Sequence, residues 1–276
     1  MRDPPVTSVS PPPMVAVAHG SKDPRAAATV AELLTAVRAR RPDVPVLTSF
    51  LDHAPPNPVR VLDGLAQDGV DEAVVLPLLL TAAYHSKTDV PGVLNDVRTL
   101  HPRLSLRTAA TLGPHPLLMA ALERRLTEAG VEIGDPDTAV VLVSAGSSDP
   151  SANATIWGMA REWRGGAGPR GDGPPHPPER LRRGLGWRGV VPAFASAARP
   201  TPGEAVSALL DAGAPRVVVA SYFLAPGYFA DKVRREALAA GAEVVSPVLG
   251  AAPEIADLVL RRYDEARTEV RAAAAV

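Results

Sequence analysis

The chain carries the same short pattern twice, once near the start of each half. Residues 14–24 read MVAVAHGSKDP, and residues 141–150 read VLVSAGSSDP. In each copy an apolar run, typical of a buried parallel strand, leads into a Gly-Ser turn and then into an Asp-Pro pair that suits the start of a helix. The copies differ where the first has His19 and the second has Ala145. This repeat predicts two similar α/β units.

The apolar pattern extends each copy into alternating strands and helices. In the first half, strands are predicted at 15–18, 44–51, 73–80 and 104–112. In the second half, they are predicted at 139–144, 190–195, 216–224 and 243–249. A helix follows each strand, and such connections favour parallel pairing. We therefore predict an α/β fold of two similar domains, each with a four-stranded, mainly parallel sheet flanked by helices, with a cleft between them.

The repeat also predicts domain boundaries. Residues 1–13 are proline-rich and have no apolar segment, which indicates a disordered tail rather than a signal peptide. The first domain is placed at 14–134 and the second at 135–270. Residues 164–186 are rich in glycine, proline and arginine, so they are predicted to be a disordered insertion. The lone His176 within them is assigned no metal role.

Composition excludes several kinds of site and partner. The chain has 276 residues, no cysteine and a formal net charge of −1. Disulfides, thiolate metal sites and iron–sulfur ligation are therefore excluded, and no basic surface for nucleic acid is indicated. The longest apolar run, 73–83, contains Pro77 and is too short to span a bilayer. We expect a cytoplasmic protein with no nucleic-acid or membrane partner.

Candidate chemical residues follow the predicted strands of the first half, because open parallel sheets bind ligands at the carboxyl ends of their strands. They are His19, Asp52 with the adjacent His53, His85, and His115. The aligned positions of the second half are Ala145, Ser196 with Ala197, Phe229 with Tyr228 beside it, and Ala252. Titratable side chains are thus kept in one half only. The first half is therefore predicted to carry the catalytic or metal-binding side chains, and the second half to serve as a structural scaffold.

His19 and His85 are predicted to form a pair, because the first and third strands of such a sheet can be neighbours. Two neutral imidazoles facing one gap can hold a divalent ion, or accept protons near neutral pH. Asp52 adds a carboxylate that could ligate, accept protons or orient a histidine. His53 is left out because its side chain is expected to point elsewhere. His115 is expected either to cap the next helix or to line the cleft.

Four motifs in order resemble the sirohydrochlorin chelatases: VAVAHGSKDP, SFLDHAPP, VLPLLLTAAYHSKTDVP and TLGPHP. The resemblance runs from Met14 to about Arg262. It implies an ATP-independent class II enzyme that inserts cobalt or ferrous iron into sirohydrochlorin, for cobalamin or siroheme synthesis. It also implies that His19 and His85 bind the metal and assist insertion. The family usually has Glu where this chain has Asp52, which is shorter by one methylene.

The same resemblance implies what the site receives. The substrates would be sirohydrochlorin, which is a polycarboxylate, and a divalent cobalt or iron ion, with no nucleotide. The sequence has no P-loop motif. Ser21, Lys87 and His115 are the candidate substrate-binding residues, and Lys22 and Arg25 lie near the predicted mouth of the cleft. We expect a monomer, because one chain already holds both repeats.

Two other functions compete with this one. A hydrolase that uses Ser21 or Ser86 as nucleophile is disfavoured, since the sequence has no G-x-S-x-G elbow. A non-enzymatic metal or tetrapyrrole carrier stays open, because it would need the same cleft and the same histidines. The donor types do not select cobalt over iron.

Overall fold

Two four-stranded parallel sheets form the framework of the computed structural model, which describes residues 10–81, 90–164 and 186–273. The first sheet contains β1 (Met14–Ala18), β2 (Val46–Phe50), β3 (Glu72–Pro77) and β4 (Ser105–Thr108), in the spatial order β2-β1-β3-β4. The second contains β5 (Thr138–Ser144), β6 (Gly189–Phe194), β7 (Arg216–Ser221) and β8 (Val244–Val245), in the order β6-β5-β7-β8. All of these pairings are parallel. The predicted fold is confirmed, and we call the unit built on each sheet the first and the second lobe.

Helices connect the strands and cover both faces of each sheet. In the first half they are α1 (Pro24–Arg40), α2 (Pro58–Gln67), α3 (Val90–Leu100) and α4 (Pro116–Glu128). In the second half they are α5 (Pro150–Arg164), α6 (Pro202–Asp211), α7 (Tyr228–Ala239) and α8 (Pro253–Ala273). Most begin with proline, whose ring fixes φ at a position where the N–H needs no partner. None of the helices in the described ranges has the length and apolar character needed to cross a membrane.

The repeated turn has the same backbone geometry in both lobes. Gly20 has φ of 93° and Gly146 has φ of 81°, values that residues other than glycine rarely adopt. A Cβ atom at Gly20 would collide with the carbonyl oxygen of Asp52, and one at Gly146 would collide with that of Ser196. Glycine is required at both positions because a neighbouring loop passes directly against the turn.

The helix starts after these turns are also equivalent. In the first lobe, the side chain of Asp23 caps α1, and Ser21 Oγ accepts a hydrogen bond from the Asp23 N–H over 3.1 Å. In the second, Ser147 Oγ accepts from the Asp149 N–H over 3.0 Å. The capping prediction made from the Asp-Pro pairs is therefore confirmed for α1, and the second copy repeats its hydrogen bonding.

The largest hydrophobic core is shared by both lobes. It joins residues of β1 and α1 with residues of β5, β7 and α8. The C-terminal helix α8 packs against α1, α4, β3 and β4, and α4 contacts β7 of the second sheet. The last helix of each half therefore packs against the sheet of the other half. This exchange crosses the boundary predicted after residue 134.

Some predicted strands are shorter in the structure. The strand predicted at 243–249 is only Val244–Val245, because the Ser221 N–H donates to Ser246 Oγ (3.0 Å) instead of continuing the backbone ladder. The strand predicted at 104–112 is Ser105–Thr108. The predicted disordered tail and the predicted insertion lie largely outside the described residues.

Candidate functional site

A cavity of about 850 Å³ lies between the lobes, at the carboxyl ends of the central strands. In the first lobe, the wall is formed by residues 18–22, which start at the last residue of β1, and by residues 78–81, which follow β3. In the second lobe, it is formed by residues 144–148, which start at the last residue of β5, and by residues 222–230, which follow β7. Because the four strands occupy equivalent places in their sheets, the two lobes contribute equivalent edges to one cavity. This is the cleft that the repeat predicts.

His19 lies on the wall of this cavity, directly after the last residue of β1. Its imidazole is partly buried, and Nδ1 lies 3.2 Å from the carbonyl oxygen of Gly20. That contact favours the tautomer with its hydrogen on Nδ1, in which Nε2 carries the lone pair. The lone pair on Nε2 is what metal coordination or proton transfer requires.

His85 and Lys87 lie outside the described residues, so their predicted roles stay predictions. The strand that precedes them is described. β3 pairs with β1, with Val17 opposite Pro77, so the expectation that the first and third strands are neighbours is confirmed. The Leu78 N–H then donates to the Val17 carbonyl over 2.8 Å, and residues 78–81 enter the cavity wall.

The Asp52–His53 pair is arranged differently from what the sequence suggested. His53, which the sequence analysis left out of the site, is one of the residues that line the cavity. Asp52 is exposed and does not line the cavity. One of its oxygens accepts the His53 N–H over 2.8 Å, and the other lies 3.2 Å from His53 Nε2. Of the roles predicted for Asp52, this geometry matches the orienting of a histidine, although that histidine is His53.

A backbone signal could have identified His53. Its φ is 62°, and Ala197 at the equivalent place in the second lobe has φ of 57°. Outside glycine, His, Asn and Asp are enriched in this left-handed region. The DHAPP segment follows a strand and precedes a proline-initiated helix, so a tight turn that orients the imidazole could have been predicted there.

Of the polar and charged residues predicted near the mouth of the cavity, some line it and one does not. Ser21 and the exposed Lys22 line the cavity, as the sequence suggested. Arg25 does not line it. Its guanidinium lies 2.5 Å from Asp23 and 2.5 Å from Asp231 in α7, so it links the two lobes across the mouth.

His115 caps a helix and does not line the cavity formed by the described residues. Its Nδ1 accepts the Leu117 N–H over 3.1 Å at the start of α4, and its Nε2 lies 3.4 Å from an Arg261 nitrogen. Burial, with the positive charges of Arg262 and Arg261 beside it, lowers the pKa of His115 to about 4. The structure therefore matches the capping alternative, and no contact supports the expected role in substrate binding.

The equivalent positions of the second lobe have the same backbone but small side chains. The Asp52 N–H donates to the His19 carbonyl over 2.9 Å, and the Ser196 N–H donates to the Ala145 carbonyl over 3.0 Å. The alignment of His19 with Ala145 is therefore supported. Within the described residues there is no group of three or more His, Asp or Glu side chains that could hold a metal ion.

Sequence reasoning missed the contribution of the second lobe to the cavity wall. Tyr222 is buried, lines the cavity and donates its hydroxyl hydrogen to the Leu80 carbonyl over 2.9 Å. Burial raises the pKa of this phenol. Tyr228 and Phe229, at the start of α7, also line the cavity. The sequence placed Phe229 and Tyr228 at a strand end but gave them no role, and no local pattern marks Tyr222, because its contact depends on how the lobes pack.

Comparisons with known proteins agree with the sequence motifs. The family model described as CbiX matches residues 13–129 and 176–266. The sirohydrochlorin cobaltochelatase of Priestia megaterium is 28% identical over 214 residues, which cover 76% of this chain and 63% of that protein. The sirohydrochlorin ferrochelatase of Bacillus subtilis is 25% identical over 254 residues, which cover 90% of this chain and 89% of that protein. The chain thus spans just under two thirds of the cobaltochelatase.

Solved structures show the same fold. SirB from Bacillus subtilis with Fe³⁺ has a TM-score of 0.75 and 24% identity, covering 92% of this chain and 94% of that chain. The sirohydrochlorin chelatase SirB from Bacillus subtilis subspecies spizizenii in complex with cobalt has a TM-score of 0.69 and 19% identity, with the same coverage. Two similar lobes around a cleft are therefore shared with these proteins.

Proposed function

We propose that this chain, which belongs to the CbiX family, is a chelatase that inserts divalent cobalt or ferrous iron into sirohydrochlorin. The curated relatives include both cobaltochelatases and ferrochelatases of that tetrapyrrole. The relatives therefore favour the reaction without selecting the metal. That the reaction needs no ATP rests on the resemblance and is part of the proposal.

One observation carries the proposal: an imidazole lies at the wall of a large cavity between two lobes. His19 follows the central strand of its sheet, and the opposite wall belongs to the equivalent strands of the second lobe. The volume of about 850 Å³ falls in the usual range for small-molecule sites, about 300–1,000 Å³. A macrocycle held between the lobes would present one face to His19.

The reaction exchanges two protons for one metal ion. The divalent ion loses water ligands, bonds form to the four ring nitrogens, and two N–H protons leave the macrocycle. A neutral imidazole can act in both parts, because its lone pair can hold the incoming ion or accept a proton near neutral pH. We assign these roles to His19 and, from the sequence, to His85.

Asp52 and His53 supply a second acid–base group in this proposal. His53 is one of the residues that line the cavity, and one Asp52 oxygen lies 3.2 Å from its imidazole Nε2, while the other accepts its backbone N–H over 2.8 Å. A carboxylate that orients an imidazole fixes its tautomer and direction. Asp52 is therefore proposed as a positioning residue for His53, which would accept a proton released from the ring.

Substrate binding is assigned to the rim of the cavity. Sirohydrochlorin carries carboxylates around its edge, and Ser21 and Lys22 lie on the wall next to His19. Hydroxyl and ammonium groups suit carboxylate partners. Lys87 stays a candidate from the sequence.

The experiment that tests this function is direct. Purified protein is mixed anaerobically with sirohydrochlorin and either Co²⁺ or Fe²⁺, and insertion is followed by the change in absorbance. Multiple turnovers above the spontaneous rate with either metal are expected. Stoichiometric binding of metal or tetrapyrrole without any acceleration would instead support the carrier alternative and overturn the chelatase proposal.

A further inference from the structure

The second lobe places two exposed aromatic side chains on the cavity wall, and the reaction steps above use neither. Tyr228 and Phe229 are the first two residues of α7, and they are 71% and 39% exposed. The other exposed large apolar side chains of the described ranges do not line the cavity: Leu100, Trp157 and Leu238. Within those ranges, exposed aromatic surface inside the cleft is therefore confined to this pair.

The pair is held in a defined arrangement. The two ring centroids are 5.4 Å apart and the ring planes meet at 68°, an edge-to-face contact. Such contacts are favoured by the quadrupoles of the rings. The cavity wall thus presents two aromatic rings in contact with each other.

The start of α7 lies beside the turn that follows His19. A Cβ atom at Gly227 would lie 3.7 Å from Ser21 Oγ. One turn further along α7, Asp231 is paired with Arg25 of the first lobe at 2.5 Å. The aromatic pair is therefore fixed relative to the first lobe, next to the segment that carries His19.

Exposed aromatic surface in a ligand cavity suits a ligand with a flat, apolar face. Leaving such surface in water costs about 25 cal/mol for each Å². The proposed substrate has a conjugated ring with apolar faces, while its carboxylates lie at the edge. Rings of this type stack on aromatic side chains or pack against their edges.

We propose that Tyr228 and Phe229 form a binding surface for one face of the sirohydrochlorin macrocycle and position its centre against His19. The inference rests on the proposed function, because the macrocycle is the proposed substrate. Both residues are substrate-binding residues, which contact the ring equally before and during insertion. Loss of such uniform binding raises KM and leaves kcat nearly unchanged.

The test compares Tyr228→Leu/Phe229→Leu with the parent chain, and uses Trp157→Leu as the matched control. Trp157 is also an exposed helix aromatic, but it does not line the cavity. Metal-free sirohydrochlorin is titrated into each protein and its fluorescence is followed, so that binding is measured without turnover. KM and kcat for insertion are then measured with a saturating metal concentration.

We expect the double variant to bind the macrocycle about tenfold more weakly, with KM raised to match. Trp157→Leu should bind like the parent, and Tyr228→Phe should keep most of the affinity because it keeps the ring. A parent that binds sirohydrochlorin while the double variant binds it equally well overturns this inference and leaves the proposed function standing. A parent that neither binds nor metallates sirohydrochlorin overturns the proposed function and the inference together.

Discussion

The hydroxyl group of Tyr222 in the second lobe donates a hydrogen bond of 2.9 Å to the carbonyl oxygen of Leu80 in the first. The tyrosine is 2% exposed, and an added Cβ on Gly113 would lie 2.6 Å from its hydroxyl. The bond therefore sits in a tightly packed junction between the lobes. It fixes the chain that leaves β3 along the cavity wall.

Removing this bond should weaken both stability and activity. In Tyr222→Phe the Leu80 carbonyl loses its partner, which costs about 1–2 kcal/mol of the free energy of unfolding. Denaturant titration measures this cost, and the insertion assay should show a lower kcat because the cavity wall is less well fixed. Tyr263→Phe is the matched control, since it removes a 2.6 Å bond to the Pro12 carbonyl that lies outside the cavity. Tyr263→Phe should lose a similar free energy of unfolding and keep the parent kcat. If kcat fell equally in both variants, the lower kcat of Tyr222→Phe would be due to lost stability alone.

His19→Ala should abolish most of the insertion rate. Loss of a group that transfers protons or holds the metal costs about 10²–10⁴-fold in rate. The imidazole is only partly buried, so the free energy of unfolding should change little. His101→Ala is the control. His101 Nε2 lies 2.7 Å from Asp63, and neither residue lines the cavity. Parent-like turnover by His19→Ala would contradict the site assignment.

The effects of Asp52 and His53 on the rate should not add. If Asp52 acts by orienting His53, then Asp52→Ala and His53→Ala should each lower kcat, by about tenfold or more. The double variant should be no slower than His53→Ala. This double-mutant cycle is measured in the insertion assay. Additive losses would mean that Asp52 acts independently of His53.

The two turn glycines should contribute equally to the free energy of unfolding. Gly20→Ala and Gly146→Ala each force a Cβ against a carbonyl oxygen at positive φ, so each should lower the free energy of unfolding by about 3 kcal/mol. Gly64→Ala is the control, because Gly64 lies within α2 and an added Cβ meets nothing within 4 Å. That change should stabilise the protein by about 0.5–1 kcal/mol. Thermal or denaturant unfolding checks all three.

His115 should make stability depend on pH in mildly acidic solution. Its pKa is lowered from the ordinary 6.5 to about 4 in the folded protein, so the unfolded chain binds the proton more readily. The contribution of His115 to the free energy of unfolding should therefore be complete above pH 6.5 and be lost progressively as the pH drops towards 4. His115→Asn keeps a capping side chain but removes the titration, so its stability should vary less over this range. An unchanged pH profile in that variant would contradict the assignment.

Local patterns were sufficient to predict most of the framework. Asp23 and Pro24 mark the start of α1, and a helix, α3 (Val90–Leu100), follows β3 as predicted. These features depend on a few neighbouring residues, so the sequence displays them directly. The predicted fold, with parallel sheets and a cleft, follows from the repetition of such units.

Features that depend on long-range packing could not be predicted in the same way. Tyr222 reaches Leu80 from another lobe, and the short β8 ends because Ser246 offers a side-chain acceptor to Ser221. His53 was left out because its side chain was expected to point elsewhere, whereas the left-handed turn at this residue places it among those that line the cavity. The distinction between a chemical first half and an architectural second half also missed the aromatic wall of the second lobe.

The packing of α8 against the first sheet and of α4 against the second has a consequence for folding and for the origin of the chain. Neither half can bury its own apolar surface alone, so the protein should unfold in one cooperative transition rather than lobe by lobe. A half-length ancestor would have needed two copies that traded their terminal helices. In a single polypeptide the same assembly is intramolecular and independent of concentration, and the two lobes need not carry the same side chains, as His19 and Ala145 do not.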